Sequence, residues 1–417
     1  MNSTAVGWRK EVTPEQWRAF FAAYLGWMLD GFDFTILTFL LVDISKSLTI
    51  NSALAGLLGT VTLVFRLVGG VASGAAADRW GRKYPLMFSI LWYSVFAFLS
   101  GFSTSYGMLF AMRALFGIGM GGVWAAGMPL AIEHWPQHLR GRVSGMLQSG
   151  YSAGYILSAL MFHFVYPLFN NRLDFGWRVM LWAGALPALL VLWIMGNVRE
   201  SPVWLERRMK RSLEPASTQP TFSLLFRGDL LWTTIHASLV MAGFLCFYYS
   251  ITFWYPTLIL RLGRATLPFL LSFNTGTICG NLIWGQLSET RAGRRGAGTI
   301  AALGGVAAIP LFAFSTTTAP LIAGALLMGI FGGGSFGIVP TYLNERFPTA
   351  ARAAGAGVAY HVGAATSSLM TYVIGAMQDR GFALGGAMGL CIAITGLMIV
   401  VLLWLGPETR GRTLTAG

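Results

Sequence analysis

Four charged residues stand inside long apolar stretches of this chain, and their types are those that handle protons and anions. Asp30 and Asp33 are three residues apart, so on a helix they share a face. If the stretch around them crosses a bilayer, they lie roughly 18–22 Å deep at a rise of 1.5 Å per residue, near or past the midplane. A carboxylate at that depth costs about 2.5–3.5 kcal/mol even on the gentler insertion scale. Desolvation favours a neutral acid and a nearby guanidinium favours a charged one, so such a group can gain and lose a proton as its surroundings change. Proton coupling by Asp30 and Asp33 is the expectation, with a static ion pair to Arg113 as the alternative. Arg66 is also mid-stretch and cannot be neutralised at physiological pH, so it needs a partner. A substrate carboxylate gripped by its fork is one reading, and pairing with Asp30 or Asp33 is the other.

Softer candidates form polar stripes. Gln148, Tyr151 and Tyr155 share one helical face, and Asn274, Thr277 and Asn281 share another. Stripes of this spacing either line a cavity and bind substrate or bond between helices. His361 and His236 either relay protons or are hydrogen-bonded structural histidines. Cys246, Cys279 and Cys391 have no metal-ligand spacing and read as small core residues. There is no His-Glu-x-x-His, no phosphate-cradling Gly-x-x-x-x-Gly-Lys loop and no Gly-x-Ser-x-Gly element. No enzyme activity, cofactor or metal is expected.

The elements that must position these residues are helices in a membrane. Of 417 residues, 55% are hydrophobic and 11% charged, against about 25% charged in soluble chains. Apolar runs long enough to span recur near 18–42, 53–77, 84–102, 107–131, 143–167, 177–197, 229–256, 266–287, 297–315, 319–342, 354–377 and 384–405. Twelve spans place both termini on one side. The formal net charge of +13 makes no continuous basic stripe of the kind nucleic acid needs. Instead, Lys and Arg crowd alternate loops, leaving Lys46, Arg172, Arg178, Arg261, Arg264 and Arg380 for the other side. That bias puts the termini in the cytoplasm. The N-terminal stretch has no cleavable signal pattern, and short loops without a targeting peptide favour a bacterial inner membrane.

The two halves repeat one another. Gly74, Asp78, Gly81, Arg82 and Lys83 match Gly285, Glu289, Gly293, Arg294 and Arg295, while Glu133, Pro136, Arg140 and Gly145 match Glu345, Pro348, Arg352 and Gly357. The offset is about 212 residues throughout. The chain divides into a cytoplasmic N-terminus (1–17), a six-helix half (18–205), a cytoplasmic linker (206–228), a second six-helix half (229–405) and a cytoplasmic C-terminus (406–417). Parallel halves of this kind imply alternating access around a midplane site. At the same offset Asp30 and Asp33 map to Ala242 and Leu245, so the acids are not part of the shared scaffold.

The run Gly74-Ala-Ala-Ala-Asp78-Arg79-Trp80-Gly81-Arg82-Lys83 resembles the loop 2–3 signature of the major facilitator superfamily, and Arg113-Ala-Leu-Phe-Gly117-Ile-Gly119-Met-Gly121 resembles its helix 4 signature. Glu15-Gln-Trp-Arg-Ala-Phe20, Trp27-Met-Leu-Asp30-Gly31-Phe32-Asp33-Phe34 and Ile132-Glu133-His-Trp135-Pro136-Gln-His-Leu-Arg140 are similar to the sialate–proton symporter family. The Asp-Gly-Phe-Asp element also resembles aromatic-acid–proton symporters. The resemblance implies an all-α membrane fold of twelve transmembrane helices in two six-helix halves. It also implies that the helices bearing Asp33 and Arg113 can meet, letting Arg113 tune the proton affinity of the acid. It further implies that loop residues Asp78, Arg79, Gly81, Arg82, Glu133 and Arg140, with Glu289, Glu345 and Arg352 opposite, lock the outward-facing state. The alternative is that they only fix topology.

The expected function is proton-coupled uptake of a small organic anion, with sialic acid the leading substrate and a short monocarboxylate or aromatic acid the alternative. A drug–proton antiporter is a third reading, but the glycines of helix 5, Gly145, Gly150 and Gly154, have no accompanying proline of the exporter type. The expected partners are the anion, protons and the bilayer, with the monomer as the working unit.

Overall fold

The computed structural model describes residues 11–136, 140–170, 175–213, 225–348 and 352–410. Every regular element among these residues is helical. We label the helices α1 (Pro14–Ser47), α2 (Ser52–Trp80), α3 (Lys83–Ser100), α4 (Tyr106–His134), α5 (Arg140–Phe164), α6 (Gly176–Asn197), α7 (Gly228–Thr252), α8 (Leu267–Leu287), α9 (Gly293–Ala313), α10 (Thr318–Arg346), α11 (Arg352–Ser367 and Leu369–Asp379) and α12 (Leu384–Leu405). Eight helices among the described residues are long and apolar enough to cross a membrane by length and composition alone. The remainder are shorter, broken or polar on one face, as α3, α11 and α8 illustrate.

The 34 residues of α1 extend it about 50 Å, well beyond the ~30 Å of a hydrocarbon core. Several spans read as continuous from sequence are interrupted. In α6 a 3₁₀ turn at Ala183–Ala185 precedes Pro187, which has no N–H to continue the ladder. The end of α7 restarts at Tyr255–Arg261 with Pro256 in its first turn. In α10, Gly333–Gly337 forms a 3₁₀ segment before Pro340. A further helix, Pro202–Leu213, occupies the start of the expected linker. Residues 214–224 of that linker lie outside the described residues. Cys246 and Cys391 are buried as expected, whereas Cys279 is on an exposed face.

The chain resolves into two compact units. Unit one is Met1–Thr35, Phe65–Ser158 and Arg178–Ser217; unit two is Ile36–Val64, Ala159–Trp177 and Thr218–Gly417. The division cuts α1, α2, α5 and the first turn of α6, so the Ser47 end of α1, the Ser52 end of α2, the Phe164 end of α5 and Gly176–Trp177 of α6 belong with the second half of the chain.

Small residues set the packing within unit one. A methyl on Gly121 of α4 would lie 2.1 Å from the Arg66 carbonyl oxygen, and one on Gly69 of α2 would lie 1.8 Å from that of Ile118. The two backbones therefore touch at the level of Arg66, which accounts for the glycines of α4. Similarly, a methyl on Gly154 of α5 would lie 2.0 Å from the Met28 carbonyl oxygen. Thr35 and Ser158 join the same two helices by a 2.6 Å hydroxyl–hydroxyl bond, and Ser158 Oγ also donates to the Phe32 carbonyl at 3.0 Å.

Candidate functional site

Asp30 and Asp33 sit near the middle of α1 and are 0% and 2% exposed. Arg66 of α2 (1% exposed) and Arg113 of α4 (0%) are buried with them in unit one. Arg66 Nη2 stands 3.9 Å from Asp30 Oδ2, too far for a hydrogen bond. Neither Asp30 oxygen has a hydrogen-bond partner among the described residues. The Arg66 guanidinium lies 5.1 Å from the centroid of Trp27, within cation–π range. Trp27 in turn leans on Tyr151 of α5, with ring centroids 5.3 Å apart. The structure therefore brings Asp30, Arg66 and Tyr151 together through Trp27, a residue that sequence reading used only as part of a motif.

Asp33 and Arg113 form a second group. Arg113 Nη1 donates to the Asp33 main-chain oxygen at 3.4 Å, its guanidinium lies 5.2 Å from the Phe116 centroid, and it is the cation that acts on the Asp33 carboxylate. Tyr93 of α3, fully buried, lies in the field of both aspartates. Nothing in the sequence marked it, because one tyrosine in an aromatic run of α3 reads as packing.

The polar stripes divide. Gln148 and Tyr151 are half-buried, while Tyr155 is buried. On α8, Asn274 Nδ2 donates to Leu270 O at 2.9 Å and Thr277 Oγ1 to Phe273 O at 3.0 Å; Asn281 is half-buried, and its main chain abuts Gly337. That face of α8 packs on the 3₁₀ segment of α10. His361 is buried edge-on to Tyr360. His236 is bonded through Nε2 to the Leu402 carbonyl at 3.0 Å.

The loop charges assemble into two matching networks, one in each unit. After α2, Arg82 donates from Nη1 to Asp78 at 2.6 Å and from Nη2 to Glu133 at 3.4 Å. Ser201 Oγ donates to the other Glu133 oxygen. Glu200 accepts from the main-chain N–H groups of Arg82 and Lys83 at 2.8 and 3.1 Å, closing the first turn of α3. In unit two, Arg294 donates to Glu289 at 2.6 Å and to both oxygens of Glu345 at 2.9 and 3.2 Å. Thr409 Oγ1 donates to Glu345 at 2.6 Å, and Glu408 accepts from the N–H groups of Arg294 and Arg295, each at 3.0 Å.

Gly81 (φ +98°) and Gly293 (φ +68°) make the turns. Both adopt the left-handed conformation that glycine tolerates, and a Cβ there would strike Glu200 or Glu408. Burial by itself would lower the pKa of Arg82, but the bond to Asp78 and the charges of Glu133 and Asp78 hold it above its ordinary value. Burial would likewise raise Glu408, yet four main-chain N–H groups hold it below 4.5. Glu200, Ser201, Glu408 and Thr409 join these networks from outside the repeated loop motifs. Arg79 is exposed and stacks on Trp80 at 5.7 Å rather than joining an acid. The side chains of Arg140 and Arg352 lie outside the described residues.

At the Ser52 end of α2, unit two holds a different contact. Asp379, at the end of α11, accepts from Ser52 N at 2.9 Å and Ala53 N at 2.8 Å. Thr60 Oγ1 meets Thr371 Oγ1 at 2.9 Å and donates to the Ser368 carbonyl at 2.8 Å. Methyl groups on Gly56 or Gly375 would overlap the carbonyl oxygens of Thr371 or Ser52.

Comparison with known proteins agrees with this architecture. The chain is 33% identical over 421 residues to the sialic acid transporter NanX of Escherichia coli, covering 98% of both chains. It is 32% identical over 413 residues to a probable 4-methylmuconolactone transporter of Cupriavidus pinatubonensis, covering 97% of this chain and 93% of that one. The xylose transporter XylE of E. coli, in a partially occluded inward-open conformation, superposes with a TM-score of 0.76 at 18% identity, over 96% of this chain and all of that one. Residues 23–371 match the Major Facilitator Superfamily. With twelve helices in two repeated halves and related transporters along its whole length, the chain is a multi-pass membrane transporter, not an enzyme, and belongs to the Major Facilitator Superfamily.

Proposed function

We propose that the chain is a proton-coupled symporter that takes up an organic anion by alternating access, working as a monomer in a bacterial inner membrane with both termini cytoplasmic. The observation that carries this reading is the buried group of two carboxylates and two guanidiniums in unit one, with Arg66 Nη2 3.9 Å from Asp30 Oδ2. A guanidinium is the side chain whose planar fork matches a substrate carboxylate. The incoming carboxylate competes with Asp30 for Arg66, and a proton taken up at the aspartates compensates the negative charge the substrate brings. Asp33 beside Arg113 is the proposed proton carrier.

Sialic acid, or a related acidic sugar, is the leading substrate, supported by the full-length likeness to NanX. A compact unsaturated acid is the second reading. It is supported by the relative named for 4-methylmuconolactone and by a ring cluster in unit two, where Tyr248 and Phe336 stand edge to face at 5.5 Å. Rings favour flat ligands, whereas a polyhydroxylated sugar needs many hydrogen-bonding groups. The two matching loop networks are proposed to lock the state in which the cytoplasmic side is closed.

The test is uptake of labelled sialic acid and of 4-methylmuconolactone into proteoliposomes, with and without an inward proton gradient. Accumulation of one acid that needs the gradient, and its loss in Asp33→Asn, is expected. Gradient-independent uptake of both would reject the coupling, and uptake of neither would reject the substrate class.

A further inference from the structure

One side of the Asp33 carboxylate meets a small residue of α6, Gly184, which is itself packed on Ala97 of α3. A methyl group on Gly184 of α6 would lie 3.0 Å from Asp33 Oδ1 and 2.5 Å from the Cβ of Ala97 on α3. The Asp33 carboxylate thus rests almost against the backbone of α6, at the 3₁₀ turn Ala183–Ala185 where that helix is broken. Asp33 Oδ2 has no hydrogen-bond partner among the described residues. The charged and titratable groups facing the carboxylate are Arg113 from α4, Asp30 from α1 and Tyr93 from α3. The arginine of α6, Arg178, is held elsewhere, donating to the carbonyls of Gly101 and Ser103 at 3.0 and 2.6 Å. From α5, Ser158 is bonded to Thr35 and the Phe32 carbonyl.

We propose that Gly184, with Ala97, is a positioning residue for Asp33: the wall they form sets how far the carboxylate stands from Arg113, and so the pH at which this site exchanges its proton. The inference rests on the reading of Asp33 as the proton carrier. A wall thickened by one methyl displaces the carboxylate from the backbone of α6, which changes its distance from Arg113 and Asp30, the charges that act on it, and its proton affinity follows those distances. The titration midpoint therefore moves.

Gly184→Ala alone also collides with Ala97, so the informative variant is Gly184→Ala with Ala97→Gly. The second change removes the 2.5 Å conflict and leaves the 3.0 Å contact with Asp33. The readout is a pH titration of the protonated-carboxyl stretch by infrared spectroscopy on the purified protein in lipid, which needs no substrate. The band absent from Asp33→Asn is assigned to Asp33. The expected result is that its midpoint moves by about half a pH unit or more in the double variant, with thermal stability near that of the parent. A midpoint that is unchanged overturns the positioning role while leaving the proton-carrier reading intact. No band lost in Asp33→Asn overturns both.

Discussion

A separation of 3.9 Å between Arg66 and Asp30 is long for two charges buried together, and it frames what each side chain is expected to do. Arg66 is oriented by the Trp27 face as much as by the acid. A lysine there keeps the charge but loses the planar fork and the stacking. Arg66→Lys is expected to lower uptake at least tenfold, or about 1.4 kcal/mol of binding or transition-state energy, with unchanged abundance in the membrane. Uptake equal to the parent's would remove Arg66 from substrate binding. Asp33→Asn cannot release a proton, so it is expected to exchange labelled for unlabelled substrate across the membrane while failing to concentrate it against a gradient. Retained accumulation would move the proton to Asp30 or elsewhere. Both expectations concern residues that stood out in the sequence as charges inside apolar runs. Trp27 and Tyr93 did not stand out, because aromatic residues in such runs are the rule.

At the scale of whole helices, contacts between glycine and backbone decide which faces meet. Gly121→Ala puts a methyl 2.1 Å from the Arg66 carbonyl and 2.4 Å from Gly70 N, where no flexible side chain can give way. Overpacking of this kind costs about 1–3 kcal/mol, so a lowered thermal midpoint is expected. Gly74→Ala, which meets nothing within 4 Å, serves as the control. The N-terminus of α9 gives a pH-dependent case. Glu408 is bonded by N–H groups of Arg294, Arg295, Thr409 and Arg410, and its pKa is held below the ordinary 4.5. A depressed carboxylate contributes stability that is full above 4.5 and is lost as pH falls through its lower native value. Thermal stability followed downward from pH 4.5 should fall more steeply in the parent than in Glu408→Gln. Parallel curves would show that Glu408 contributes nothing through its charge.

For the molecule as a whole, alternating access requires contacts that form in one state and break in the other. The Asp379 carboxylate over the first N–H groups of α2 is proposed to be such a contact, since an acid at a helix N-terminus contributes about 0.5–2 kcal/mol and this exposed one can be released without leaving a buried charge. Asp379→Ala is expected to loosen the Ser52 end of α2. Asn51→Cys should then react faster with a membrane-impermeant maleimide added from outside than it does in the Asp379 background, and an equal rate would exclude a latch there. Among the described residues this contact has no mate in the internal repeat, whereas each loop network has one. The molecule thus carries a duplicated polar network at one set of loops and a single carboxylate cap with tight glycine packing at Gly56 and Gly375.

Twelve helices, their repeat and the family could be read from the chain because each depends on local pattern. Hydrophobic length, the alternation of Lys and Arg, and the recurrence of Asp78-to-Lys83 in Glu289-to-Arg295 need no knowledge of what packs where. The acids and arginines were legible too, since a charge in an apolar run is costly wherever it ends up. What the tertiary structure decided was partnership. Nothing local says that Arg66 leans on Trp27, that Asp33 rests on Gly184 of α6, or that Glu200 and Glu408 close the first turns of α3 and α9. The last pair escaped the repeat because their spacing from the loops is not the common offset, so only their positions in space reveal that they do the same work. Those contacts join residues distant in sequence, and no periodicity in the chain records a distance between two helices.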